Sequence, residues 1–272
     1  MNSPRFQMRK RVVELASLGV ACLGILAVGC GEPLDGTDPA VQENSEPVIA
    51  GYNPSPTDRP YENLFVQVHN STKGVYCSGT LIGGPTTARY VLTAGHCFSS
   101  ASDSVYITGP VGTVNGTAVY FAPHAANGDQ VDAALIKLEK DVSVPGAVYF
   151  TNMDGQELIG TQVRCYGYGN TAWDPVAKKY TGGGKLHYGD FTVADHGGST
   201  TLYDLDVPNS AGQATAPGDS GGTCFHSTSF HISAITVTGI CKAGSTSGIP
   251  TYNDQTSATV FSSWVRTFVP RP

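Results

Sequence analysis

Three short segments of this 272-residue chain carry the residue types that nucleophilic acyl transfer needs. They are His96 in Leu92-Thr-Ala-Gly-His-Cys97, Asp132 in Val131-Asp-Ala-Ala-Leu-Ile-Lys-Leu138, and Ser220 in Gly218-Asp-Ser-Gly-Gly222. A serine hydroxyl is a weak nucleophile at neutral pH. It needs an imidazole to take its proton, and the imidazole needs a buried carboxylate to fix its tautomer and stabilise its charged form. Asp132 suits the last role because it precedes an apolar run, 133–138, whose burial would draw the carboxylate out of water. Glycines around Ser220 let the backbone turn sharply and aim the N–H groups of Gly218 and Ser220 at one developing oxyanion, a contribution of about 2.7–4 kcal/mol per donor. Taken singly, each residue has a plainer role: a core histidine beside a disulfide, a strand-capping carboxylate, a turn serine. Taken together they point to an activated serine. The other histidines (His69, His124, His187, His196, His226, His231) show no metal-ligand spacing, so no metal and no organic cofactor is expected.

The elements that must position these residues read as β-structure. Short β-rich runs recur at 64–69, 79–82, 90–93, 104–108, 117–121 and 133–138, punctuated by Gly, Pro, Asn and Asp. Such spacing predicts an all-β sandwich or barrel. Only 259–268 places apolar residues at helical spacing, predicting a short terminal helix. Glycine and proline together number 33 + 17 = 50, and charged residues are 14%. With 13 Tyr and 10 Phe the chain can bury a sizeable core, and it is not a disordered polymer. A net charge of −6, with no basic run beyond the first eleven residues, removes the footprint a nucleic-acid binder needs.

The N-terminus reads as an export address. Arg5, Arg9, Lys10 and Arg11 precede an apolar segment, 15–28, ending in Gly29-Cys30. This is the order of a secretory signal, assigned to residues 1–29. Cleavage before Cys30 leaves either an ordinary secreted chain or a cysteine that is lipidated and anchors the protein to a bacterial envelope. Residues 30–47 are acidic and poor in large apolar side chains, so they read as a linker or propeptide. Folding is expected over 48–272, a span of 272 − 47 = 225 residues.

Over that span the chain resembles the chymotrypsin/trypsin family of serine endopeptidases. Val48-Ile-Ala-Gly51 is similar to the family's mature N-terminus, Cys77-Ser-Gly-Thr-Leu-Ile82 to the strand before its histidine, and Gly167-Tyr-Gly169 to its Gly-Trp-Gly turn. The order His, Asp, Ser also fits, at spacings of 132 − 96 = 36 and 220 − 132 = 88 residues. The resemblance implies two six-stranded antiparallel β-barrels with a short C-terminal helix and the active site between the barrels. It further implies a peptide or protein substrate and a zymogen: cleavage before Val48 by an activating protease frees an amine that pairs with Asp219. Pro47 departs from the Arg or Lys that trypsin-type activators need there.

The cysteines follow from the same resemblance. Cys77 and Cys97 match the bridge that braces the catalytic histidine. Cys165 and Cys224 are each displaced by two residues from the usual pair, in opposite chain senses, so on antiparallel strands they should still face each other. Cys241 resembles the cysteine that closes the specificity pocket, but its usual partner position is Ala216, which leaves Cys241 free. Where trypsin-like members carry an Asp at the pocket floor this chain has Ala214, followed by the uncharged Thr215, Ala216 and Pro217. An unpaired substrate cation buried there would cost several kcal/mol, which disfavours cleavage after Arg or Lys. If Thr236-Val-Thr238 lines the pocket wall, Thr238 favours small aliphatic side chains and Thr236 offers a hydroxyl to Asp132. If Gly239 takes the wall position instead, larger apolar side chains fit. The rival reading from another class is a surface binding or adhesion module that kept the scaffold without catalysis, and an esterase using the same three residues is a lesser one.

Overall fold

A computed structural model describes residues 62–84, 86–125, 128, 131–144, 159–174, 176–177, 179–195, 202–205, 209–226, 232–236 and 254–269. The signal, the linker, Cys30, Val48, Thr238, Gly239 and Cys241 lie outside the described residues.

The first barrel is built from β1 (Phe65–Asn70), β2 (Val75–Gly83), β3 (Thr87–Thr93), β4 (Val105–Thr108), β5 (Val114–Phe121) and β6 (Ala134–Ser143). They close in the order β1-β2-β3-β6-β5-β4, every neighbouring pair antiparallel. All six β-rich runs read from the sequence fall within or against these strands. Their apolar positions make the barrel's interior: Val66 and Val68 on β1, Leu81 on β2, Val91 on β3, Ile107 on β4, Val119 on β5, Leu135 and Ile136 on β6 are all buried. Closure leaves no strand edge unpaired.

The second half contains β7 (Gln162–Gly167), a small ribbon of β8 (Ala172–Asp174) and β9 (Lys179–Thr181), then β10 (His187–Asp195), β11 (Leu202–Leu205), β12 (Thr223–His226), β13 (Ile232–Thr236) and β14 (Asp254–Ser257). Strands β10-β11-β14-β13-β12-β7 form a second closed barrel. β14 runs straight into helix α1 (Ala258–Val265). Phe261 and Val265, four residues apart on one helix face, are fully buried. The chain after α1 carries Phe268 onto the first barrel, its ring 5.8 Å from Tyr90 and 4.9 Å from Tyr120.

The barrels meet through aromatic rings. Phe65 of β1 stacks on Tyr166 of β7 at 4.1 Å between centroids, and Phe225 of β12 meets both edge-on, at 5.7 Å and 6.0 Å. Tyr168, just past β7, donates its hydroxyl to the Phe65 carbonyl at 3.0 Å. Burial pushes that phenol up to about 12, so it stays a donor. Both expected disulfides are formed. Cys77–Cys97 ties β2 to the turn that carries His96, and Cys165–Cys224 joins β7 to β12 inside the second barrel. Cys165 and Cys224 are direct cross-strand partners.

Candidate active site

His96 sits in a single 3-10 turn, Gly95–Cys97, between β3 and the Cys97 disulfide. The turn is clasped from below by Asp132, which lies just before β6. One carboxylate oxygen accepts the His96 backbone N–H at 2.7 Å, and the other lies 2.7 Å from His96 Nδ1. A Cβ at position 95 would crowd the Asp132 carboxylate, so the glycine of Ala94-Gly-His96 permits this approach. The Asp132 side chain is 17% exposed. Burial, the largest single influence, pushes its pKa up, but the His96 ring, its charge and the N–H groups of His96 and Gly95 outweigh that, and the carboxyl is held below its ordinary value. Asp132 therefore stays ionised and fixes the proton on Nδ1, leaving Nε2 as the ring's basic atom.

The turn has a second support that the sequence motifs did not single out. Buried Asn70, at the end of β1, donates through Nδ2 to the Cys97 carbonyl at 2.9 Å and to Asp103 at 2.7 Å. Asp103 also accepts the Ser99 N–H and the Ser100 hydroxyl, both at 2.8 Å. The Ser99 N–H is the chief reason its carboxyl is lowered. The sequence offers only an Asp within a Ser-rich loop, which turn chemistry explains equally well, and Asn70 lies 33 residues away from it.

Ser220 lies in the loop 216–222 that precedes β12. Here the glycines are required by geometry. Gly218 and Gly221 have φ of 96° and 83°, a region that other residues enter only with strain. A Cβ on Gly221 would also strike the Ser78 carbonyl and the Thr93 hydroxyl. Ser78 of β2 holds this loop from the first barrel. Its N–H donates to the Ser220 carbonyl at 2.7 Å, its hydroxyl donates to the Gly218 carbonyl at 2.7 Å, and that hydroxyl accepts the Tyr168 N–H at 2.8 Å. No motif flagged Ser78 beyond its place in the strand before the histidine.

Asp219 turns the other way, into the second barrel, and is 2% exposed. Its carboxylate accepts the N–H groups of Gly169 at 2.9 Å and Ala216 at 2.8 Å. A Cβ on Gly167 or Gly169 would collide with that carboxylate, which is the physical reason for glycine on both sides of Tyr168. Burial pushes the Asp219 carboxyl up to about 7 against the pull of the two N–H groups. No cation pairs with it among the described residues.

His96 and Ser220 line one cavity of about 220 Å³. Lys73, Val75, Tyr76 and the Cys77–Cys97 disulfide wall it on the first-barrel side, and Ala216, Pro217, Gly218 and Thr236 on the other. Ala214 and Thr215 are buried and lie behind this lining. One expectation is corrected here. The Thr236 hydroxyl makes no bond to Asp132 and sits 3.9 Å from Cys224 Sγ. Among the described residues one trio, Cys77, His96 and Cys97, has the donor set of a metal site, but its sulfurs are joined to each other and offer no thiolate.

Two antiparallel barrels with a histidine–carboxylate pair and a glycine-framed serine facing one cavity define a serine-hydrolase architecture. The family model described as Trypsin matches residues 48–265. The chain belongs to the trypsin family, and by that membership it is a serine endopeptidase. Among solved structures it is similar to neuropsin, a serine protease of mouse brain, at 17% identity and a TM-score of 0.61, covering 80% of this chain and 98% of that one. It is also similar to the scabies mite inactivated protease paralogue S-D1, at 16% identity and a TM-score of 0.60, covering 81% of this chain and 97% of the other. No curated protein sequence matches the chain.

Proposed function

We propose that this protein is an exported endopeptidase in which Ser220 attacks the scissile carbonyl, His96 moves the proton and Asp132 orients His96. In the first step the Ser220 Oγ proton passes to His96 Nε2 as the Oγ–carbon bond forms. The N–H groups of Gly218 and Ser220 receive the oxyanion. As the C–N bond breaks, the same proton passes to the departing amine, leaving an acyl-enzyme that water hydrolyses by the reverse sequence. The observation that carries this reading is the pair of bonds from His96 to Asp132, both 2.7 Å, beside the cavity that His96 shares with Ser220.

The acyl side of the substrate lies against Ala216, Pro217 and Thr236, none of which offers a charge to a basic side chain. Small or medium apolar residues are the preferred acyl-side partners, with Thr238 and Gly239 setting the upper size. The raised Asp219 carboxyl, which faces no cation among the described residues, favours a zymogen. An amine freed by a protease that cleaves after Pro47 would make Val48 its counter-ion and complete the loop that holds Gly218. The signal-like order of residues 1–29 and the cysteine at Cys30 support a location outside the cytoplasm, free or lipid-anchored.

The test is intact mass of the purified protein after incubation with a serine-directed fluorophosphonate. Wild type is expected to gain one adduct, and Ser220→Ala and His96→Ala none. A wild type that unfolds cooperatively and has a free Val48 amine, yet gains no adduct, refutes the enzyme mechanism and leaves a binding module on a protease scaffold.

A further inference from the structure

Among the described residues that line the cavity, Lys73 carries the one permanent side-chain charge, and it is positive. His96 must hand its proton to the departing amine, so the residue that begins the leaving fragment lies on the His96 side of Ser220, against the first barrel. That wall is Lys73, Tyr76 and the Cys77–Cys97 disulfide. Lys73 lies in the turn between β1 and β2, and the turn is tightly held. Its N–H donates to Asn70 Oδ1 at 3.0 Å, the Gly74 N–H to the Asn70 carbonyl at 2.8 Å, and the Thr72 hydroxyl accepts the Ser104 N–H at 2.9 Å. The Lys73 ammonium donates one hydrogen bond to the His96 carbonyl at 2.6 Å, which ties the cation to the turn that bears the proton carrier. An ammonium has three donors, and among the described residues no carboxylate pairs with this one. In a chain of net charge −6, an ammonium held beside the site with no carboxylate on it among the described residues offers a partner to an anionic side chain.

The Tyr76 ring, 63% exposed, completes the wall. It meets His69 edge-on at 5.0 Å, and His69 is stacked on Tyr106 at 4.4 Å. These rings fix Tyr76 as a flat apolar face beside the charge. An acidic side chain laid along that face would bring its carboxylate to the Lys73 ammonium.

We propose that Lys73 selects substrates with Asp or Glu as the first or second residue beyond the scissile bond. The inference rests on the assignment of Ser220 as nucleophile and His96 as proton carrier. The cation acts on binding and orientation of the leaving fragment, so it touches substrate without entering the proton transfers. An exposed pair of this kind is worth about a 1.4- to fivefold rate preference, greatest at low salt.

The experiment uses quenched fluorescent peptides that share the acyl-side sequence best cleaved in a random library and differ only in Glu, Gln or Lys as the first or second leaving-side residue. For wild type, kcat/KM should fall in the order Glu, Gln, Lys, with the spread shrinking at high salt. Lys73→Met should bring Glu and Gln together, Lys73→Glu should reverse the order, and Lys73→Arg should restore it. Each ratio is taken within one variant, so a general loss of activity cancels. The fluorophosphonate adduct is measured in parallel. If wild type forms the adduct but shows no Glu preference at either position, or keeps it in Lys73→Met, the role of Lys73 is overturned while the nucleophile assignment stands. If wild type forms no adduct, the nucleophile assignment fails and this inference with it.

Discussion

Asp132 and Asp219 are both largely buried carboxylates, yet their surroundings drive them to opposite ends of the titration scale. Asp132 faces an imidazole and two backbone N–H groups and is lowered from 3.8. Its stabilisation is fully present above 3.8 and lost as pH falls through the lowered folded value. Asp132→Asn should remove that acid-side loss of stability and reduce kcat by about 10⁴, because an amide no longer fixes the Nδ1 tautomer. Thermal unfolding against pH, together with a burst titration, checks both. Asp219 behaves in the reverse sense. With its folded carboxyl raised from 3.8 to about 7, the native state binds the extra proton, so the uncleaved chain should lose stability as pH rises from 3.8 to 7 and then level off. The loss is about 4 kcal/mol at 1.36 kcal/mol per pKa unit. Urea unfolding of the uncleaved chain across that range measures it. Asp219→Asn should flatten the slope, and so should cleavage before Val48 if the new amine pairs with this carboxylate. A wild-type profile before cleavage that matches that of Asp219→Asn would contradict the raised value and the zymogen switch built on it.

Strand β2 shows how an element turns such residues into a site. Between positions 77 and 80 it supplies Cys77, which ties down the His96 turn, Ser78, which ties down the serine loop, and Thr80, whose hydroxyl meets that of Thr223 on β12 at 2.6 Å. Ser78→Ala should cost about 1–3 kcal/mol in urea unfolding by stranding the buried Tyr168 N–H and the Gly218 carbonyl. It should also lower kcat more than it raises KM, since the freed Gly218 peptide serves the oxyanion and not the ground state. Equal effects on both constants would mean that Ser78 only holds the fold. The sequence made some of this element legible and hid the rest. Cys165 and Cys224 could be paired because the resemblance puts the family's bridge two residues from each, in opposite chain senses, and partners on antiparallel strands, like Arg164 with Phe225 and Val163 with His226, keep a constant sum. Ser78 could not be found that way, because its three partners come from the loops at 168, 218 and 220, and nothing local marks a serine that bridges two barrels. Asn70 was hidden for the same reason: its side chain is 2% exposed and spends its amide on Cys97 and Asp103, and nothing local marks an asparagine that braces a turn far along the chain.

Across the whole molecule the two barrels share part of their interior, although Val163, Cys165, Phe191, Val193, Leu205, Cys224 and Ala234 form a separate cluster within the second. One buried cluster runs from Leu81 and Leu135 of the first barrel through Tyr166 and Phe225 of the second to Phe261 and Val265 of α1. The terminal helix was legible from its apolar spacing, but it ends three residues early. The Thr267 and Phe268 N–H groups reach back only three residues, to Trp264 and Val265, and this tighter turn swings Phe268 onto Tyr90 and Tyr120. The helix thus clamps the half of the chain that holds Ser220 to the half that holds His96 and Asp132. Because the site exists only where these halves meet, loss of the clamp should reach it as a unit. Phe261→Ala empties a fully buried aromatic position and should cost about 3–5 kcal/mol. Unfolding should remain a single transition in which near-ultraviolet circular dichroism and fluorophosphonate labelling fall together with urea in wild type and variant alike. Labelling lost well before the spectroscopic signal would show that the halves can part while each stays folded, and would rule out a shared core as what holds the serine against its base.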